Sequence, residues 1–482
     1  GNVTITGGQY RGCIYGVYDF LEQCIGYRFL YDYDALIASG AGSRRFVYHD
    51  SFADGIIDYL YEAETRDVPA QSYTSAPDIQ SRAAYVAPSN TVPAEDHVLK
   101  MKMNRDQVRG YAKYNGYGVS QYSVHGLSQV ITKFVDYDGG AIHSRQCCFS
   151  NEENIAIAID YYTTQLKQFL AAGYLVGRDI KDLDASQVDS GNFCQCEECR
   201  KLVAYDRTNA APIILMTNSI ADAIAEIDPN VYVQMLAYYG TTQPPQKTKM
   251  SPNVSVWSRM TDRLGVWYYP GTWYANPIQS CTVFNMLDDF RLMKECGTYG
   301  LIVDPCMQSP SDGILNYFSR RLSWSCDMTD EEFLDMIKEY FLILYGPGYE
   351  DIFEYYRVWE QAGGNKCWSV MAWSSPADRL DYAFFADNFE YAKNLFADAA
   401  RIAESDVQEY RVKRLSTQMY YLGLISTYDS MYTNGTDAEK NAYLETWTYF
   451  TELLKKYPIT FDANHVKLFI ADRLLSDDFE LL

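Results

Sequence analysis

The spacing of apolar positions divides the chain into stretches of different period. Residues 2–6 alternate as a strand does and end at the turn Gly7-Gly8. Ile14, Val17, Leu21 and Ile25 then recur at spacings of three and four, which predicts a helix over 13–25 that stops at Gly26. Short apolar runs at 27–31 and 57–65 read as strands. Between them and the next periodic region, residues 66–97 hold Pro69, Pro77, Pro88 and Pro93 among Ser, Ala and Asp, the composition of a long surface excursion.

From about 144 to 345 helical stripes alternate with short apolar runs. Ser150 and Glu153 have capping-box spacing ahead of the stripe Ile155, Ile159, Tyr162, Leu166 and Phe169, with Gly173 as the stop. A strand is predicted at 183–188. A helix opening at Pro212 carries Ile213, Met216, Ile220, Ile224 and Ile227 on one face. Runs at 231–237, 254–257 and 299–303 read as buried strands, with a helix at 284–296 before the last of them. Strands alternating with helices imply βαβ units and a parallel sheet, and this many units favours a (β/α)8-type barrel. After 346 the strand signal fades, and segments near 349–362, 377–403, 405–432, 437–457 and 464–476 read as helices; 366–373 is a weak candidate for an eighth strand. The expected layout is a partial small α/β domain over 1–50, a (β/α) barrel over 51–345 and a helical region over 346–482.

Composition narrows the chemistry. The 482 residues include 41 Lys and Arg against 63 Asp and Glu, a net charge of −22 that repels phosphate backbones and anionic lipid, so no nucleic-acid partner is expected. No run of about 20 apolar residues exists to span a membrane. Aromatics reach 15%, and Tyr and Trp suit amphipathic ligands such as sugars, although most of them fill cores. The phosphate-binding, dinucleotide, zinc-protease and nucleophile-elbow motifs are missing, and the five His share no metal-ligand spacing. Carboxylates, Tyr and Arg remain, the tools of glycoside hydrolysis.

In a (β/α) barrel the C-terminal ends of strands face the active site. That rule makes Asp189, at the end of the predicted strand 183–188, the first catalytic candidate. Asp304, which follows the run 299–303, is the second. Each has a plain alternative as a turn-capping Asp. Glu64, Arg66 and Asp67 at the end of the 57–65 run are candidates for gripping sugar hydroxyls. Trp257 and Arg259 are candidates for stacking on a sugar ring and holding an anionic substituent. His125 and Tyr238 complete the binding candidates. Asp189 is followed by Cys194, Cys196 and Cys199. These three thiols hold a structural zinc if a fourth ligand arrives, with Cys147 or Cys148 as the source; a disulfide or reduced buried thiols are the other readings.

The segment Gly8-Gln9-Tyr10-Arg11-Gly12-Cys13-Ile14-Tyr15-Gly16-Val17-Tyr18-Asp19-Phe20-Leu21-Glu22 resembles the helix of the small α/β domain that precedes hexosaminidase and α-glucuronidase barrels. The stretch from Asp189 to Cys199 resembles the D-G-x-x-C-x-C-x-x-C signature of a bacterial barrel family catalogued as domain of unknown function 4838. Gln146 to Asn151, Leu236 to Tyr239 with Pro244-Pro245, Leu322-Ser323-Trp324 and Tyr345-Gly346 match it in order. The resemblance implies a glycoside-hydrolase-type barrel acting on carbohydrate without a required cofactor. It also implies a secreted, periplasmic or cell-surface bacterial setting, with the signal peptide outside this chain. By the same resemblance Asp189 is the strand-four carboxylate, Glu64 to Asp67 end the first barrel strand, His125 follows the second, and Tyr238 is the strand-five aromatic. Three functions stay open: a glycosidase using carboxylate acid/base catalysis, a carbohydrate-binding barrel without catalysis, and a zinc-dependent hydrolase.

Overall fold

The computed structural model describes residues 2–8, 12–31, 56–60, 68, 71–84, 99–103, 125–173, 182–257, 264–270, 282–303, 312–364, 380–457 and 459. Its centre is a six-stranded, all-parallel sheet in the order β3-β8-β7-β6-β5-β4. The strands are β3 (Ser81–Ala84), β4 (Asp182–Asp184), β5 (Tyr232–Leu236), β6 (Val254–Trp257), β7 (Leu264–Tyr268) and β8 (Thr298–Val303). The parallel α/β sheet expected from alternating periods is therefore present, with β3 and β4 as its edges among the described residues. Those residues do not by themselves close an eight-stranded ring, and 366–373 lies outside them. A separate antiparallel ribbon pairs β1 (Tyr27–Tyr31) with β2 (Ile56–Leu60).

Side chains alternate across a strand, and here the two faces of the sheet differ in kind. Leu183, Val233, Met235, Val254 and Val256 pack with helices α2 (Glu152–Ala171) and α4 (Ala210–Ala225). Leu301 and Val303 join a second cluster with α5 (Met286–Glu295) and α6 (Asp312–Trp324). The alternate positions, Asp182, Asp184, Gln234, Leu236, Ser255, Trp267 and Ile302, occupy the opposite face. Among the described residues, Leu236 and Ile302 form a small apolar cluster there, with Tyr238 and Trp267 against it. The helix-covered face is oily, and the other face is polar with an aromatic patch.

Beyond α6 the chain is helical: α7 (Asp330–Tyr345), α8 (Tyr349–Gly364), α9 (Tyr382–Arg401), α10 (Asp406–Thr427) and α11 (Asp437–Lys456). A ring contact links each helix to the next from α6 to α11. These contacts are Phe318–Tyr340, Phe341–Tyr356, Tyr355–Phe396, Phe389–Tyr420 and Tyr421–Phe450, with centroids 4.7 to 5.9 Å apart. Much of the aromatic content goes into this packing, and one buried cluster extends from Phe29 of β1 to Phe450 of α11.

Several expectations are corrected. Residues 2–6 form no strand. The predicted excursion 66–97 contains β3, which pairs with β8 through Ser81↔Gly300 to Ala84↔Val303. Ser-Arg-Ala-Ala carries no β-branched signal, and its buried Arg82 is held by the carbonyls of Lys102 and Ile79 and by the face of Trp324, 5.0 Å away. The stripe Ile14, Val17, Leu21, Ile25 is not the buried face of the first helix, α1 (Gly12–Phe20), or of the wide turn Leu21–Ile25 that continues it. Tyr15, Asp19 and Glu22 are buried there instead, while Val17 is 44% exposed. Charges turn inward because partners await them. Lys102 Nζ bonds Asp19 and lies 3.4 Å from Glu22, and Arg321 of α6 bonds Glu22 at 2.9 Å. Finally, Asn151 and not Ser150 caps α2, accepting from the N–H groups of Glu153 and Asn154. Ser150 has another task, described below.

Candidate functional site

The strand predicted at 183–188 stops at Asp184, and the reason lies in one side chain. Ala185 N–H still donates to Gln234 O, but from there the Gln187 amide replaces the backbone ladder. Its Nε2 donates to Leu236 O at 2.8 Å and to Thr241 Oγ1 at 3.1 Å, while its Oε1 accepts from Leu236 N at 3.3 Å. The main chain is thereby released from the sheet while staying buried through Val188. Asp184, the carboxylate at the strand end, is buried and accepts from Ser186 N. Asp189 lies five residues further on, exposed, in the loop beyond the C-terminal end of β4.

That loop is braced from one side by 143–148. Gln146 Nε2 donates to Val188 O and Ser190 O, each at 2.6 Å, and Gln146 N donates to Asn192 O. Asp189 N donates to His143 Nδ1 at 3.0 Å, which places the proton of a neutral His143 on Nε2. His125 sets the other side. Its Nδ1 is 2.7 Å from Gln187 O, a carbonyl that can only accept, so His125 carries its proton on Nδ1 and its lone pair on Nε2. Its backbone is in the left-handed region, φ 62°, held by Ser186 Oγ on the His125 N–H. The next residue must be glycine, because a Cβ on Gly126 would stand 2.0 Å from Asp184 O.

The two imidazoles meet edge to face at 5.7 Å, and the Tyr238 ring lies 6.2 Å from His125. Burial lowers the His125 pKa, with His143 lowering it further, against the Gln187 hydrogen bond and the negative charge of Asp189, which raise it. Tyr238 follows β5 by two residues and shares the inner apolar patch with Trp267 of β7. Trp267 stacks on Tyr269 at 5.9 Å and 15°. The structure therefore gathers Asp189, His125 and Tyr238 from the sequence candidates and adds His143 and Trp267, which sequence reasoning passed over. Trp267 had a legible signal, the inward position of the alternating run Leu264–Tyr268. His143 had none, because its role comes from a loop contact 46 residues away. Asp304, Glu64, Arg66, Asp67 and Arg259 lie outside the described residues, as does the side chain of Trp257.

The three thiols after Asp189 do acquire a fourth. Sγ atoms of Cys148, Cys194, Cys196 and Cys199 all lie within 4.8 Å of one another. Cys147, its neighbour in sequence, is buried in the α2 core instead, where burial pushes its thiol pKa up. Cys196 caps α3 (Glu197–Asp206), its sulfur accepting from Cys199 N at 3.4 Å, and this bond pulls the Cys196 thiol down to about 6. Burial pushes Cys199 up to about 11. Ser150 Oγ stands 3.1 Å from Cys199 Sγ and 3.5 Å from Cys148 Sγ, which is why it is unavailable to cap α2.

Residues 59–256 match the family described as Domain of unknown function (DUF4838), the family to which the sequence resemblance points; the match contains His125, Asp189, Tyr238 and all four clustered cysteines. No curated protein matches the chain. Among solved structures, a family GH115 4-O-methyl-α-glucuronidase with specificity for decorated arabinogalactans aligns at 11% identity and TM-score 0.49, over 84% of this chain and 63% of that one. The chain thus spans less than two thirds of that protein. A GH138 enzyme targeting pectin rhamnogalacturonan II aligns at 10% identity and TM-score 0.32, over 63% of this chain and 53% of that one. CpGH84B aligns at 10% identity and TM-score 0.32, over 82% of this chain and 77% of that one. Among the described residues no helix is long and apolar enough to cross a membrane.

Proposed function

We propose that the polar face of the parallel sheet binds a glycan at its C-terminal rim and that the protein hydrolyses a glycosidic bond there. The observation that carries the reading is the convergence of Asp189, His125, His143 and Tyr238 beyond the C-terminal ends of β4 and β5, where parallel α/β sheets hold their ligands. In this reading Tyr238 and Trp267 offer ring faces to a sugar. His143 Nε2–H and the His125 Nε2 lone pair give one donor and one acceptor for hydroxyl groups. Asp189 takes the acid/base role. Hydrolysis needs a second carboxyl about 5–5.5 Å away for retention or 6.5–9.5 Å away for inversion, or a substrate acetamido group in its place. Asp304, next in the chain after β8, is our candidate for that second carboxyl. A secreted, periplasmic or cell-surface bacterial setting accompanies this function.

The test is release of reducing sugar from a panel of plant, bacterial and host polysaccharides, repeated with Asp189→Asn. The expected loss is at least about 100-fold, the scale of a missing acid/base group, with an unchanged circular-dichroism spectrum. Full activity in Asp189→Asn rejects the role given to that residue. Glycan binding by calorimetry with no cleavage of any substrate rejects hydrolysis and leaves a carbohydrate-binding barrel.

A further inference from the structure

We infer that Cys148, Cys194, Cys196 and Cys199 together hold one zinc ion, and that the ion is structural, tying the loop after Asp189 to the start of α2. The inference stands independently of the glycan reading. Four thiols from two separate segments, 48 residues apart at the Cys148 and Cys196 pair, converge with no carboxylate or imidazole among them. Cys148 Sγ lies 3.6 Å from Cys196 Sγ and 3.9 Å from Cys199 Sγ. Sulfurs at the corners of a tetrahedron with Zn–S bonds of about 2.3 Å stand about 3.8 Å apart, so the two edges at Cys148 have the length of a zinc-centred cage, and the remaining sulfurs lie within 4.8 Å. An all-thiolate tetrahedral set selects zinc among the divalent ions that need no redox chemistry. All four positions are protein sulfurs, which leaves none for a water or substrate and makes the centre structural. The zinc-hydrolase alternative therefore has no open coordination site here.

The surroundings suit a set of thiolates. Cys199 N–H points at Cys196 Sγ, and the Ser150 hydroxyl is within reach of three of the four sulfurs. The N-terminus of α3, which Cys196 caps, adds its partial positive charge. Loading the site means loss of the thiol protons to solvent as the ion enters, with no change in oxidation state. The consequence for the fold is a clamp. Residues 189–196 have no regular secondary structure, and the ion fixes their far end against 148, as Gln146 fixes their near end.

The experiment is metal analysis of the full chain purified without chelator, with thiols counted by alkylation under denaturing conditions before and after reduction. One zinc per chain is expected. Cys148→Ser should drop zinc content to near zero, whereas Cys296→Ser, an exposed cysteine outside the cluster, should leave it unchanged. Cobalt substitution should give the d–d and thiolate charge-transfer bands of a tetrahedral all-sulfur site. These readouts do not depend on activity. If Cys148→Ser fails to fold, Cys194→His, which keeps a ligand, should retain zinc while shifting the cobalt spectrum. A wild-type chain free of zinc, with two of these pairs protected from alkylation until reduced, overturns the inference. So does zinc that survives in Cys148→Ser.

Discussion

His125 shows what a single residue contributes and what it costs. It sits in a left-handed backbone conformation uncommon for a residue with a Cβ, and its ring is held by the Gln187 carbonyl. Burial depresses its pKa below 6.5, so the unfolded chain takes up a proton more readily than the folded one. The sign follows: this group's contribution to stability is complete above about pH 6.5 and is lost as pH falls from there toward the folded value. Thermal melts between pH 7.5 and 5 should show that loss, and His125→Gln should flatten it. A His125 resonance, assigned by its loss in His125→Gln, titrating above 6.5 in the folded protein would contradict the assignment. Gly126→Ala should be worse than His125→Gln, because its new methyl meets the Asp184 backbone. We expect a loss of about 2–4 kcal/mol in denaturant unfolding, the range of severe single-site lesions. Asp189 was picked out from sequence as the carboxylate after the strand predicted at 183–188. Its distance from the true strand end was not legible, since that depends on the Gln187 amide substituting for main chain.

At the scale of elements, helices were read well wherever period and punctuation agreed. The predicted helix over 437–457 is α11, opened by the Thr436 and Glu439 capping box, and the helix predicted over 284–296 is α5, stopped by Gly297 at φ 68°. Reading failed where a local signal competed with a tertiary partner. Ser150 has the spacing of a cap, but thiols claim its hydroxyl and Asn151 takes its place. Asn151→Ala should therefore cost about 1 kcal/mol of stability. Ser150→Ala should cost α2 no cap, and denaturant melts of the two variants separate the roles. The strand β3 was invisible for a related reason: its one large side chain is Arg82, which reads as surface until the carbonyls around it are known.

At the scale of the whole molecule, the α/β alternation and the late helical region were both written in the periodicity. The way distant segments join was not, because it depends on charge pairs and ring contacts between residues far apart in sequence. The buried group of Asp19, Glu22, Lys102 and Arg321 joins α1, residues 99–103 and α6. Removing its central cation by Lys102→Met leaves two carboxylates with one Arg to share, and should cost about 3–5 kcal/mol. Double substitution with Asp19→Leu should recover part of that loss; a neutral effect of Lys102→Met alone would show that the group carries no stability.

The series of ring contacts that joins α6 through to α11 bears on how such a chain can be re-used. Helices joined in this way share one apolar cluster and cannot be parted without exposing it. A gene fragment ending after α7 would expose Phe341 and the rest of that surface to water and precipitate. Anyone wishing to transplant the rim chemistry into a smaller scaffold must bring the entire helical buttress along, or repaint its inner side with hydrophilic residues first.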